Sequence, residues 1–213
     1  MTHKQTRNYQ NLQRWSDFQR TEYDFPVIEP TRHLPKVKEW IGFNYSTKQS
    51  RDGEATGVHF YLDDYQFERV WNDPDKYCSI LQRYAVVASP DFSLFTDYPL
   101  PLQMYNHYRK HWLAAYMQRK GIIVIPTICW SDEYSFEWCF DGEPKDSWVT
   151  VSSTGALSGK TSKQLFLNGY EKMLKELSPK GVLFYGKVPE ECREMSCKIK
   201  HIPSFSEVRF KRE

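Results

Sequence analysis

No apolar run in this chain of 213 residues approaches the roughly 20 needed to cross a bilayer, so no membrane-spanning helix and no membrane partner are expected. The first residues, Met1-Thr2-His3-Lys4-Gln5, are polar and lack the apolar segment of a signal peptide. An excess of one charge is also missing. Twenty-nine basic and 27 acidic residues leave a net charge of +2, so nucleic-acid binding would have to rest on a local patch. The cysteines (Cys78, Cys129, Cys139, Cys192 and Cys197) are odd in number and irregularly spaced, which speaks against a disulfide framework. Reduced thiols in a cytoplasmic protein are the expectation. There are no internal repeats and no low-complexity tracts.

What is present is material for a core: 40% hydrophobic and 16% aromatic residues. The chain is organised around residues 83–132. Two short apolar runs, Ala85–Ala88 and Ile122–Ile125, flank a long amphipathic stretch and predict a strand–helix–strand unit. The helix is placed from about Pro101 to Arg119, with proline in its first turn and Gly121 as its stop. Strands are expected at Trp40–Tyr45, Val58–Leu62, Arg83–Ser89, Gly121–Pro126, Trp148–Ser153, Val182–Gly186 and near Lys198–Ile202. Helices are expected through Phe67, Val70 and Trp71, again after Pro74, at Ser162–Leu177, and in short form at Tyr134–Phe140 and Pro189–Met195. Ser46–Gly57 reads as loop, substrate-binding or disordered.

Alternation of strand and helix implies an α/β fold with a mostly parallel sheet and right-handed crossovers. An incomplete or compact β/α barrel and an open doubly wound sheet both satisfy it, and the decorated strand ends tip the choice to barrel-like. Residues 1–38, interrupted by Pro26, Pro30 and Pro35, form an N-terminal arm packed on the body through Trp15, Phe18, Tyr23 and Phe25. Residues 39–213 form the single α/β domain.

Parallel strands would gather their carboxyl ends on one rim, bringing Asp63, Asp91 and Asp132 together as acid/base groups or as hard oxygen ligands for a divalent cation. The plainer alternative is that each aspartate caps the helix that follows its strand. His107 and His111 stand four apart on the long helix but lack the glutamate of a metalloprotease helix, and Arg109 and Lys110 between them favour a solvated basic face over a metal. Cys192 and Cys197 lack a second pair for zinc. Ser153–Thr161 ends Gly-Lys-Thr as a phosphate-cradling loop does, but Thr154 stands where that motif needs glycine. Tyr105, Tyr108, Arg109, Trp112, Tyr116 and Arg119 could stack bases, though their helical spacing reads first as core with a polar edge. No metal is assigned, and the cofactor is left open.

The central segment resembles the uncharacterised family called domain of unknown function 4417, met in phages, plasmids and bacterial genomes. The likeness rests on Pro90-Asp91-Phe92-Ser93, Asn106, Tyr108 and Arg109, then Gly121, Val124-Ile125-Pro126 and Trp130. It continues through Val151-Ser152-Ser153-Thr154-Gly155, Gly169, Pro179 and Tyr185-Gly186. The resemblance implies a mobile-element context and marks Asp91, Asn106, Arg109 and Trp130. An Arg109–Asp91 pair would then be a structural clamp.

Two functions follow as expectations. In one, a small-molecule or phosphorylated ligand binds at the rim, with Asp63, Asp91 and Asp132 supplying the chemistry. Asn106, Arg109, Trp130, Ser153 and Lys187 would hold that ligand. In the other, a non-enzymatic, phage-encoded protein binds a host protein, or less readily nucleic acid.

Overall fold

A computed structural model describes residues 2–47, 53–195 and 198–210. Seven short strands alternate with helices. They are β1 (Glu39–Gly42), β2 (Thr56–His59), β3 (Val86–Ala88), β4 (Val124–Ile125), β5 (Trp148–Ser152), β6 (Gly181–Tyr185) and β7 (Ile199–Ile202). Within the two sheets the strands pair parallel: β1-β2-β3-β4 form one sheet and β5-β6-β7 a second. Runs such as Val86–Ala88 and Gly181–Tyr185 are buried on both faces, as strands covered by helices on one side and a core on the other must be. A parallel bridge between Thr127 and Thr150 carries the ladder from the first sheet into the second. The Ile128 N–H donates to the Thr150 carbonyl at 2.9 Å, and the Thr150 N–H to the Pro126 carbonyl at 2.8 Å. Among the described residues β1 and β7 do not pair, so no closed barrel forms.

Helices α1 (His3–Tyr9) and α2 (Phe43–Ser46) are short. Then come α3 (Asp64–Asn72), α4 (Pro74–Leu81), α5 (Leu100–Arg119), α6 (Lys160–Leu177), α7 (Glu190–Met195) and α8 (Phe205–Phe210). The sequence places α5 and α6 within two residues, and the residues it assigns to the two preceding helices fall in α3 and α4. It misplaces the end of β1, because Phe43–Tyr45 turn helical. The expected loop 46–57 instead contains the end of α2, a 3₁₀ turn at Gly53–Ala55 and the start of β2, while its residues 48–52 lie outside the described ones. Tyr134–Phe140 is a 3₁₀ turn at Glu133–Glu137, not an α-helix. Cys197 falls outside the described residues.

Three apolar clusters hold the elements together. One packs α3, α4 and α5 on the first sheet, around Phe60, Phe67, Trp71 and Trp112. A second packs α6 on the other sheet, around Phe166, Tyr170 and Phe184. The third draws Val86, Ile125, Trp148, Leu183, Tyr185 and Ile202 from strands of both sheets into one interior. Residues before β1 complete the first two cores, since Phe18, Phe25 and Ile28 are buried. Phe18 packs edge-on to Trp112, and Trp15 leans on Tyr108. The rings proposed to stack bases are therefore occupied by the chain's own N-terminal residues.

The middle of α5 overturns one expectation. His107, Lys110 and His111 are not a solvated basic face: each is almost fully buried. Lys110 Nζ donates to Glu143 Oε1 at 2.6 Å and to the Thr127 carbonyl at 3.1 Å. His111 Nε2 lies 3.1 Å from the same carboxylate, and its Nδ1 lies 2.8 Å from the Pro26 carbonyl. Burial works against the charge of Glu143, yet Lys110 and His111 outweigh it and hold the carboxyl below its usual range. Polar residues at helical spacing thus face inward because a partner from the 131–147 stretch meets them.

Candidate functional site

Residues beyond the carboxyl ends of strands in both sheets line one cleft of about 1140 Å³. His59 ends β2 and Tyr61 follows it, Asp91 follows β3, and Cys129 and Trp130 follow β4. Ser152 and Thr154 come from the end of β5, and Tyr185 from the end of β6. Phe95 and Phe205, both exposed, stand at its mouth.

Asp91 is positioned by its neighbours in the loop after β3. The Ser93 N–H and hydroxyl donate to the Asp64 carboxylate at 3.1 and 2.9 Å, and the Ser93 carbonyl accepts from Asn106 Nδ2 at 2.8 Å. Phe92 is buried under the Arg109 guanidinium, 4.0 Å from the ring centre. With the two residues after it pinned, the half-buried Asp91 lines the cleft and makes no ion pair within 4.0 Å among the described residues. Burial pushes its carboxyl up to about 7; Lys110 pulls the other way, and the Asp64 carboxylate pushes further. The Tyr61 phenol is raised well above its usual value by burial and then by Asp91. Its hydroxyl shares a 2.8 Å hydrogen bond with Thr150 Oγ1, so a side chain from beyond β2 reaches β5 beneath the cleft. Tyr61 and Tyr185 stack at 4.6 Å, and burial lowers His59, 4.6 Å from Tyr185, to about 4, keeping it neutral.

Trp130 owes its place to a glycine. A Cβ on Gly169 of α6 would fall 2.1 Å from Trp130 Nε1, so only a bare backbone lets the indole lie between α6 and the cleft. Phe166, one helical turn earlier, packs against the same ring at 5.4 Å.

The residues singled out from sequence divide. Asp63, Asp91 and Trp130 line the cleft; Asp63 sits exposed at its edge and accepts from Gln66 Nε2 at 3.2 Å. Asp132 is drawn away to accept from the Ser135 N–H at 3.2 Å, capping the 3₁₀ turn. Asn106 and Arg109 are buried behind the Asp91 loop. The expected Arg109–Asp91 pair is corrected: Arg109 donates to Glu68 at 2.6 Å and to Asn106 Oδ1 at 2.7 Å, so the clamp closes on a different carboxylate. Ser153 is buried and donates to the carbonyl of Lys187 at 2.7 Å, while the Lys187 side chain is exposed; neither lines the cleft. His59, Tyr61 and Cys129 were missed. His59 and Tyr61 sat inside the expected strand Val58–Leu62, and Cys129 lay just past the apolar run that ends at Ile125, so only their nearness to a strand end marked them. Among the described residues no group of three or more His, Cys, Asp or Glu could hold a metal ion.

The family model described as Domain of unknown function (DUF4417) matches residues 18–203 of this chain. The chain is also similar to the Gene 1 protein of Mycobacterium phage L5, 35% identical over 185 residues that cover 86% of this chain and 80% of that protein. Similarity to the Gene 1 protein of Mycobacterium phage D29 is also 35% over 185 residues, covering 86% of this chain and 67% of the relative. No solved structure matches. No helix among the described residues is long and apolar enough to cross a membrane.

Proposed function

We propose that this chain, which belongs to the family described as Domain of unknown function (DUF4417), is a phage-type protein that binds a small organic molecule in the strand-end cleft. One observation carries the reading. The strands of both sheets end on a single cleft with a carboxyl group at its floor whose pKa lies near 7. Small-molecule sites are typically concave volumes of roughly 300–1000 Å³ with apolar walls and few polar groups. A cleft of about 1140 Å³ walled by aromatic rings is of that kind.

The Thr127–Thr150 bridge and the shared interior cluster support treating the two sheets as one curled, barrel-like sheet with one rim. Asp91 and Trp130 then meet the ligand, Asp63 borders it, and Asn106 and Arg109 act as positioning residues for the Asp91 loop. If the ligand is turned over, Asp91 is the group placed to give or take a proton. A phosphorylated ligand would need positive charge in the cleft, and Arg109 is committed to Glu68. We place this action in the cytoplasm of a host cell, where the free thiols of Cys78, Cys129, Cys139 and Cys192 stay reduced. Phe95 and Phe205, rings that a host protein could use, belong to the mouth of the same cleft.

A thermal-shift screen against neutral, cationic and anionic small molecules tests the proposal, because a ligand bound to the native state raises the midpoint. At least one class should raise it for the wild type and not for a folded Asp91→Asn variant. A folded protein that no class shifts would remove the reading and leave capture of a host protein as the next experiment.

A further inference from the structure

Resting on that reading of the cleft, we infer that its ligand is a small organic cation, a planar amidinium or amine held by carboxylate and aromatic faces. The chain has 29 lysines and arginines, yet none lines the cleft among its described residues. Among the described residues the free carboxylates that line it are Asp91 at the floor and Asp63 at the edge. The imidazole that lines it, His59, is neutral.

A second observation points the same way. Elsewhere the chain's own cations cover its aromatic faces: Arg109 over Phe92, Arg14 over Tyr116, Arg69 over Phe43 and Lys198 over Trp148. Among the described residues, Tyr61, Trp130, Phe166, Tyr185, Phe95 and Phe205 line the cleft without such a partner. A π face attracts a cation, most strongly where water is excluded. An anion would meet the opposite: the Asp91 and Asp63 carboxylates, and aromatic faces that repel it.

The electrostatic balance also fixes how binding responds to pH. Cation binding favours the ionised form of Asp91, so it releases a proton when the free carboxyl is protonated. Affinity should rise as pH increases through 7, by about tenfold between pH 6 and pH 8 if only the ionised form binds.

The experiment compares three molecules of one shape and different charge: benzamidine (+), benzamide (neutral) and benzoate (−), titrated by calorimetry at pH 6, 7 and 8. Benzamidine should bind in the millimolar range or tighter and gain with pH, while the other two bind at least tenfold more weakly. Asp91→Asn should abolish both the preference for charge and the pH dependence. Should that variant fail to fold, the pH profile of the wild type and the exposed Asp63→Asn variant, expected to weaken benzamidine severalfold, carry the test. Equal or tighter binding of benzamide or benzoate would overturn the charge assignment and leave the cleft as a ligand site. Absence of benzamidine binding at millimolar concentration would overturn the assignment too. Together with a negative broad screen, it would remove the site altogether.

Discussion

At the scale of single residues, Asp91 sets a pH signature for the fold itself. An unfolded aspartate titrates near 3.9, and the folded one near 7. Between those values the native state holds more protons than the unfolded state, so stability falls as pH rises through the window. Asp91→Asn should therefore be about neutral near pH 4 and stabilising above pH 7, by at most roughly 4 kcal/mol, read from urea unfolding at several pH values. Loss of stability at pH 8 in that variant would mean the carboxylate is compensated there.

Glu143 behaves oppositely, since it neutralises a buried lysine. Glu143→Ala leaves Lys110 unpaired and should cost about 3–5 kcal/mol, with part recovered in the Lys110→Met/Glu143→Leu double variant. Gly169→Ala sets two effects against each other. Overpacking on Trp130 costs about 1–3 kcal/mol, and alanine returns up to about 1 kcal/mol of helix propensity. The expected result is net loss of stability, a changed Trp fluorescence and weaker cleft binding.

At the scale of elements, α5 is central. Its twenty residues touch the first apolar cluster through Trp112, Leu113 and Met117, while Tyr108 and Met104 reach the second. A helix so placed has no simple polar face, so its charged side chains carry structural duties. Arg109 joins Glu68 of α3, Asn106 of its own helix and Phe92 of the loop bearing Asp91. Arg109→Ala should destabilise by about 2–4 kcal/mol through lost charged hydrogen bonds and the cation over Phe92. Arg109→Lys should recover little, because an ammonium cannot serve both partners in the fork geometry. Urea midpoints rank the three proteins, and rescue by lysine would argue for charge alone.

At the scale of the whole molecule, the residues before β1 are part of the core. Phe18, Phe25 and Ile28 are each at least nine-tenths buried, and burying such side chains contributes about 1.5–3 kcal/mol apiece. Their sum is comparable to the whole stability of an ordinary domain, roughly 5–15 kcal/mol. A chain starting at residue 39 should lack a cooperative thermal transition in far-UV circular dichroism. A cooperative transition near that of the full chain would show the arm to be dispensable.

The sequence alone determined the order and type of most elements, because hydrophobic period and turn chemistry are local. Val86–Ala88, the α5 stretch with Gly121 behind it, and α6 all follow from neighbours a few residues away. It also determined that strand ends would carry the site candidates, since parallel strands must point one way. Tertiary structure decided the rest. Asp91 enters the cleft while Asp132 turns to a local cap; Arg109 meets Glu68 rather than Asp91; and the 107–111 cluster turns inward to Glu143. Each of those choices depends on a partner dozens of residues away or on competition from a nearer backbone donor. Such pairings are set by how the two sheets are brought together through Thr127 and Thr150, which no periodicity in the chain encodes.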